Sequence, residues 1–240
     1  MNDNCQDTLE DLLHELANIM QNLKPSAEFI SRSASRKFDK EAIIEHSKFI
    51  LQNTMLIGLQ MDMARHRLNP EFYKFQRLEP RNIHGKFFKA IECFKKAAKE
   101  KKELIIDFNS PKILTLIDSH PTIDSLPFIL IDNAVKYSPK YSTIEVELEE
   151  YDDHIFSRIS NQGPHIKESE LTDIYTRGFR SEEAEKTGVV GSGLGLNFLK
   201  EICDLHKARV NIFCEGNITS IDDIKYSTFV CEIEFPKTNS

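Results

Sequence analysis

Apolar residues near the start of the chain recur at alternating steps of four and three: Leu9, Leu13, Leu16, Met20, Leu23, Ala27 and Ile30. A seven-residue repeat of this kind predicts a long helix with one apolar seam facing partner helices. Pro25 lies inside it and is expected to kink it locally. Residues 31–40 are polar and read as a turn. A second helix follows, with Ile43, Ile50 and Ile57 seven apart and Met61 continuing the stripe. Two such helices form a hairpin whose seam is half exposed on its own. A homodimeric four-helix bundle would bury it. Packing on the chain's own second domain is the other solution.

Residues 68–85 hold Pro70 and Pro80 and read as a connection. Beyond it the pattern changes. Residues 84–101 look helical, with Phe87, Ile91 and Phe94 on one face. Residues 104–108 and 113–117 look like strands, and 123–136 like a helix carrying Leu126, Ile129, Leu130 and Val135. Ile144, Val146 and Leu148 alternate with charged residues, as a half-buried strand does. Residues 155–160 make a second such strand, with a hairpin turn at 151–153. Residues 194–206 form another amphipathic helix. Strands at 210–213 and 229–235 close the chain, with Phe229, Cys231, Ile233 and Phe235 on one face. Strands mixed with helices without strict alternation predict an α+β fold. The expectation is a helical hairpin over 1–72 and an α/β sandwich over 73–240.

Composition narrows the function. The chain has 240 residues, 40% hydrophobic and 29% charged, and a net charge of −7. That balance fits a globular protein and argues against a nucleic-acid partner, which would call for a basic face. No apolar run reaches the length of a membrane helix, about 20 residues. The first twenty residues are acidic and lack the features of a signal peptide. Five cysteines without a C-x-x-C pair read as free thiols in a reducing, cytoplasmic setting.

Chemistry concentrates in four segments. Gly191-Ser-Gly-Leu-Gly-Leu196 precedes a helix, and glycines there let backbone amides and the helix N-terminus approach a phosphate. It is neither a P-loop nor a dinucleotide fingerprint. Asp132-Asn-Ala-Val-Lys-Tyr-Ser-Pro139 puts Asn133 on a helix with a neutral oxygen suited to Mg²⁺, and Lys136 on the same side. An ordinary amphipathic helix would also explain it. Ser160-Asn-Gln-Gly-Pro-His-Ile166 follows a strand; a side-chain amide beside Gly163 can read an adenine edge, and a plain turn is the alternative. Ile174-Tyr-Thr-Arg-Gly-Phe-Arg180 precedes a polar stretch, 181–191, of the length expected of a lid.

The order and spacing of these segments resemble the catalytic domain of sensor histidine kinases, in the ATPase class that includes gyrase B, Hsp90 and MutL. Residues 132–139 look like the N box, 160–166 the G1 box, 175–180 the F box and 191–196 the G2 box. The resemblance implies ATP and Mg²⁺ as ligands. Asn133 would hold Mg²⁺, Lys136 would touch phosphate, and Tyr137 would flank the base or ribose. Asn161 and Gly163 would lie at the adenine, and Arg180 at the γ-phosphate. Gly191, Gly193, Leu194 and Gly195 would shape the lid end and present amides, and Thr228 would lie near the adenine pocket.

Two departures matter. The G1 box usually begins with Asp; here Asn161 keeps an acceptor oxygen without the charge. Charge-assisted hydrogen bonds exceed neutral ones by about 1 kcal/mol, so an ATP site several-fold weaker is expected. Gyrase-like relatives carry a water-activating Glu one turn before the N-box Asn. That position is Ile129, so hydrolysis by that route is not expected.

A phosphate acceptor is then needed. His14-Glu-Leu-Ala-Asn18 sits on the first helix, with His14 beside the seam residue Leu13. Neutral imidazole is a good nucleophile near pH 7. Glu15 can take its ring proton, and Asn18, one turn on, can position a water. His-Glu-x-x-Asn resembles the H box of a histidine kinase dimerisation domain, although Ile19 stands where Pro is common. His46, on the second helix, is a weaker acceptor because it lacks the Glu and Asn. The resemblance implies a homodimer that autophosphorylates on His14 and passes the phosphoryl group to a response-regulator receiver domain. Three rivals stay open: a degenerate kinase that docks a regulator, a phosphatase relying on Asn18, and a serine kinase or ATPase on the same fold.

Overall fold

The computed structural model describes residues 3–36, 40–69, 77–189, 191 and 193–237. The chain divides into two compact units, Met1–Gln76 and Arg77–Ser240. No described helix is long and apolar enough to cross a membrane.

The first unit is two long helices packed on each other, α1 (Asp3–Arg36) and α2 (Lys40–Leu68). The polar stretch expected as a turn is largely helical, because α1 runs on to Arg36. Polarity alone does not stop a helix. No Gly or Pro lies there, and Arg32 pairs with Glu28 one turn back at 3.3 Å. The seam also divides. Leu16, Leu23 and Ile30 are half-buried beside the buried Ile19 and Ser26, while Leu13 (57% exposed), Met20 (63%) and Ala27 face outward. One partner helix covers only part of an apolar stripe. On α2, His46 stacks on Phe29 with ring centroids 4.0 Å apart, its Nδ1 3.1 Å from Ser26 Oγ. His46 is therefore packed between the two helices. The side chains of Leu9, His14, Glu15 and Asn18 lie outside the described residues.

The second unit is a five-stranded mixed sheet with helices packed on it. Its strands are β2 (Ile105–Asn109), β4 (Thr143–Glu150), β5 (His154–Pro164), β6 (Arg209–Ile221) and β7 (Ile224–Pro236). The order is β2-β4-β5-β7-β6, with β2 and β4 parallel and the other pairs antiparallel. Helices α3 (Ile83–Lys102), α4 (Leu126–Tyr137) and α6 (Gly195–Leu205) pack on this sheet. A short helix, α5 (Glu182–Lys186), lies between β5 and α6. Two short strands, β1 (Glu79–Arg81) and β3 (Ile117–Ser119), pair antiparallel. The run at 113–117 is therefore strand only from Ile117. Its carbonyls at Ile113 and Thr115 instead accept from the side chain of Asn82, the N-cap of α3.

Strand alternation separates the two sheet faces. Ile144, Val146, Leu148, Ile155, Ile159, Cys231, Ile233 and Phe235 are at most 1% exposed and form the core. Glu145, Glu147, Arg158, Glu232 and Glu234 take the other face, where Arg158 bonds Glu232 and Glu215 at 2.5 and 2.6 Å. Two strands outrun the sequence pattern. β5 extends through Asn161 and Gly163 to Pro164, so this segment is strand rather than turn. β6 and β7 form one long hairpin whose turn residues, Asp222 (φ 50) and Asp223 (φ 64), are both left-handed. Such turns are usually marked by glycine, and here the marker is missing.

Candidate functional site

The site is built around the C-terminal half of α4. Pro139 ends this helix soon after Tyr137, and Ser138 caps it in an extended conformation. Lys102 closes the helix by donating from Nζ to the carbonyl of Ser138 at 2.7 Å, a cation at the negative end of the helix dipole. One turn apart on the helix lie Ile129, 2% exposed, and Asn133, half-buried.

Gly195, the first residue of α6, sits against both. A Cβ there would lie 3.5 Å from Ile129 Cγ2 and 3.5 Å from Asn133 Nδ2. Tyr137 reaches the same loop, since a Cβ at Gly191 would come within 3.1 Å of its hydroxyl. Leu194 is the N-cap of α6 and offers no side-chain acceptor, so the first-turn N–H groups of this helix have no side-chain cap. Gly193, at φ 66, is tightly enclosed: an added Cβ would meet Gly178 C and Phe179 O at 2.6 Å. The carbonyl of Gly193 accepts from Gly178 N at 3.1 Å, and Asn197 Nδ2 donates to Tyr175 O at 3.0 Å. The 175–180 segment is thereby bound to the glycine loop.

From the sheet side, Asn161 is 5% exposed and faces the same helix end. Its Nδ2 donates to Ser138 Oγ at 3.0 Å and to the carbonyl of Gln162 at 2.9 Å. A carbonyl only accepts, so the amide nitrogen is fixed toward it. Oδ1 is then the acceptor that remains for a ligand. Gly163 leaves close room beside it, where a Cβ would meet Phe229 Cβ at 3.1 Å and Asn161 Nδ2 at 3.5 Å.

Not every expected residue joins this cluster. Thr228 pairs with Gln162 in the β5–β7 register and accepts from its Nε2 at 3.0 Å, on the face opposite Asn161. This corrects the expectation that Thr228 lies at the same pocket. The hydroxyl on Asn161's face is Ser227, 1% exposed, paired with Gly163 and 3.0 Å from His165 Nδ1. Lys136 is exposed on the flank of α4, in an ion pair with Asp132 at 2.5 Å. Arg180 is engaged with the carbonyls of Ala184 and Val189. His14, Glu15 and Asn18 belong to the other unit.

At its far end α6 is held to the turn that leads into α4. His206 Nδ1 donates to Ile202 O at 2.7 Å, and its Nε2 accepts from His120 N at 3.0 Å. His120 precedes the 3-10 turn Pro121–Ser125, and the two imidazoles meet edge to face, 5.5 Å between centroids. Burial pushes both rings below the ordinary histidine range. Both nitrogens of His206 are committed, and only the neutral ring can fill both roles.

Residues 123–237, nearly the whole site, match the histidine kinase-, DNA gyrase B- and HSP90-like ATPase family. Over this segment, just under half of its length, the chain is similar to that ATPase family. Its relatives are sensor histidine kinases. Signal transduction histidine-protein kinase ArlS of Staphylococcus haemolyticus is 24% identical over 231 residues, 92% of this chain and 47% of ArlS. The chain spans less than half the length of the curated relatives it matches. Among solved structures, the catalytic domain of histidine kinase ThkA shares its fold at a TM-score of 0.56 and 19% identity, covering 68% of this chain and 100% of that one. ThkA in complex with the response regulator TrrA matches at a TM-score of 0.54 and 19% identity, covering 97% and 61%.

Proposed function

We propose that this chain is the catalytic core of a cytoplasmic two-component histidine kinase that acts as a homodimer. The observation that carries the reading is the meeting of Asn133, Tyr137, Asn161 and the glycines of 191–195 around one helix end. Asn161 Oδ1 accepts from the adenine 6-amino group. The uncapped amides of α6 receive the phosphates, as helix N-termini do. Among the described residues no group of His, Cys, Asp and Glu is fit to hold a metal. Asn133 contributes one hard neutral oxygen, which suits an ion coordinated mainly by nucleotide phosphates and water. Mg²⁺ so bound would neutralise charge on the β- and γ-phosphates.

An imidazole nitrogen of His14 attacks the γ-phosphorus, the bond to the β-bridging oxygen breaks, and ADP leaves. The other ring nitrogen loses its proton to Glu15. A receiver-domain aspartate then takes the phosphoryl group from phosphohistidine and restores the imidazole. TrrA bound to ThkA, a structural neighbour, supports a receiver domain as the partner class. Buried, apolar Ile129 beside Asn133 favours transfer to a side chain over hydrolysis. A second reading, regulator docking or dephosphorylation with weak ATP use, is favoured by the neutral acceptor at Asn161.

The test is incubation of the purified chain with γ-labelled ATP and Mg²⁺ beside His14→Gln. Acid-labile, alkali-stable label on the wild type alone is the expected result. Equal label on both proteins would remove His14 as acceptor. No label despite nucleotide binding would favour the docking or phosphatase reading.

A further inference from the structure

Arg180 stands where the family resemblance implies a ligand of the γ-phosphate, yet its guanidinium serves the polypeptide beside it. Nη2 donates to Ala184 O at 3.0 Å and to Val189 O at 2.8 Å. One nitrogen thus joins a carbonyl inside α5 to one beyond its end. The segment it braces is already folded. Ser181 Oγ caps α5 by accepting from Ala184 N at 3.3 Å, and Thr187 Oγ1 donates to Ala184 O at 2.6 Å. Two carboxylates moor the helix to its surroundings. Glu183, 2% exposed, accepts from Lys225 N on β7 at 2.8 Å, and Glu170 accepts from Glu182 N at 2.9 Å. Both hydrogens of Nη2 are used in this way, so turning that nitrogen to a phosphate would give up two charge-assisted bonds; Nε is buried beside them without a partner among the described residues.

We propose that Arg180 is a positioning residue: it braces residues 181–189 as a preformed lid and acts on the nucleotide through that lid, without touching the γ-phosphate. The inference rests on the nucleotide-site reading above. It separates two effects that a loss of activity would confound. A phosphate ligand discriminates ATP from ADP. A strut changes the fraction of chains with a competent lid, and that fraction scales every nucleotide's apparent affinity alike.

The experiment uses the full chain as wild type, Arg180→Ala and Glu183→Ala. Glu183 is a carboxylate with no affinity for phosphate, so the second variant loosens the lid by an independent route. Affinities for Mg-ATP and Mg-ADP are measured by titration. Hydrogen exchange over 181–189 is followed without nucleotide. The strut predicts that both variants weaken ATP and ADP together, on the order of fivefold each if the competent fraction falls to about a fifth. The ATP/ADP ratio stays within about twofold of wild type, and exchange in 181–189 rises in both variants. Selective loss of ATP in Arg180→Ala, with the ratio collapsing toward one, would overturn the proposal. So would unchanged exchange over 181–189. If the wild type binds neither nucleotide, the functional reading fails instead, and the exchange measurement still decides whether Arg180 braces the segment.

Discussion

Single residues separate what this site shares with its relatives from what is its own. Asn161 has one free acceptor because its nitrogen is held by Ser138 and Gln162. Asn161→Asp would supply a charged acceptor to the base and tighten ATP by about 1 kcal/mol, several-fold in affinity. The same change sets a carboxylate oxygen against the carbonyl of Gln162 and removes a buried hydrogen bond, costing about 1 kcal/mol of stability. Calorimetric affinity and melting temperature should therefore move in opposite directions. Ser227→Ala should weaken ATP, while Thr228→Val should leave its affinity unchanged, because the two hydroxyls lie on opposite sheet faces. That distinction was legible in the sequence: counting back by two from Phe229, on the apolar face, reaches Ser227. The fate of Arg180 was not. Its partners are backbone carbonyls, which leave no mark on residue identity.

The elements show where patterning suffices and where it stops. Helices α3 and α6 and the core strands follow apolar periodicity, since each buries one face, whereas α4 is buried all round from Leu126 to Ile131 and reads as a continuous apolar run. The hairpin of β6 and β7 was only half visible, because residues 216–221 are exposed and carry no alternation to read. The glycine loop was visible as a motif, but the need for each glycine depends on what the fold brings near it. Gly188 and Gly193 share φ 66, yet a Cβ meets nothing within 4 Å at Gly188 and backbone atoms at 2.6 Å at Gly193. Gly188→Ala should cost about 1 kcal/mol in melting experiments, the left-handed penalty alone. Gly193→Ala should cost more than that and also lower nucleotide affinity, because Gly178 and Phe179 must shift. At the other end of α6, His120 and His206 have folded pKa values pushed below about 6.5, the unfolded value. The folded form binds fewer protons, so their contribution is full above pH 6.5 and is lost as pH falls through the lowered folded values. The melting temperature of wild type should drop as pH falls below about 6.5, and more shallowly in His206→Gln.

At the scale of the whole molecule, the two units divide the chemistry of the proposed kinase. The second holds the residues proposed to bind nucleotide and the first His14, the proposed acceptor. The outward stripe of Leu13, Met20 and Ala27 on α1 is apolar surface that a second copy would cover in the proposed homodimer. Met20→Glu should raise the dimer dissociation constant at least tenfold by placing a charge in that interface, about 1.4 kcal/mol or more, as read by sedimentation. If it leaves association unchanged, another surface joins the copies. The two long helices of the first unit were readable because such helices need continuous seams, but which half of the seam faces α2 depended on how the helices rotate against each other.

The central claim is that segments at 132–139, 160–166, 175–180 and 191–196 form one nucleotide site. The most direct test is a calorimetric titration of Mg-ATP into wild type and Asn133→Ala. One site per chain, weakened about tenfold in the variant by loss of the hard oxygen beside the phosphates, is the predicted result. No heat of binding to the wild type, or equal affinity in both proteins, would contradict it.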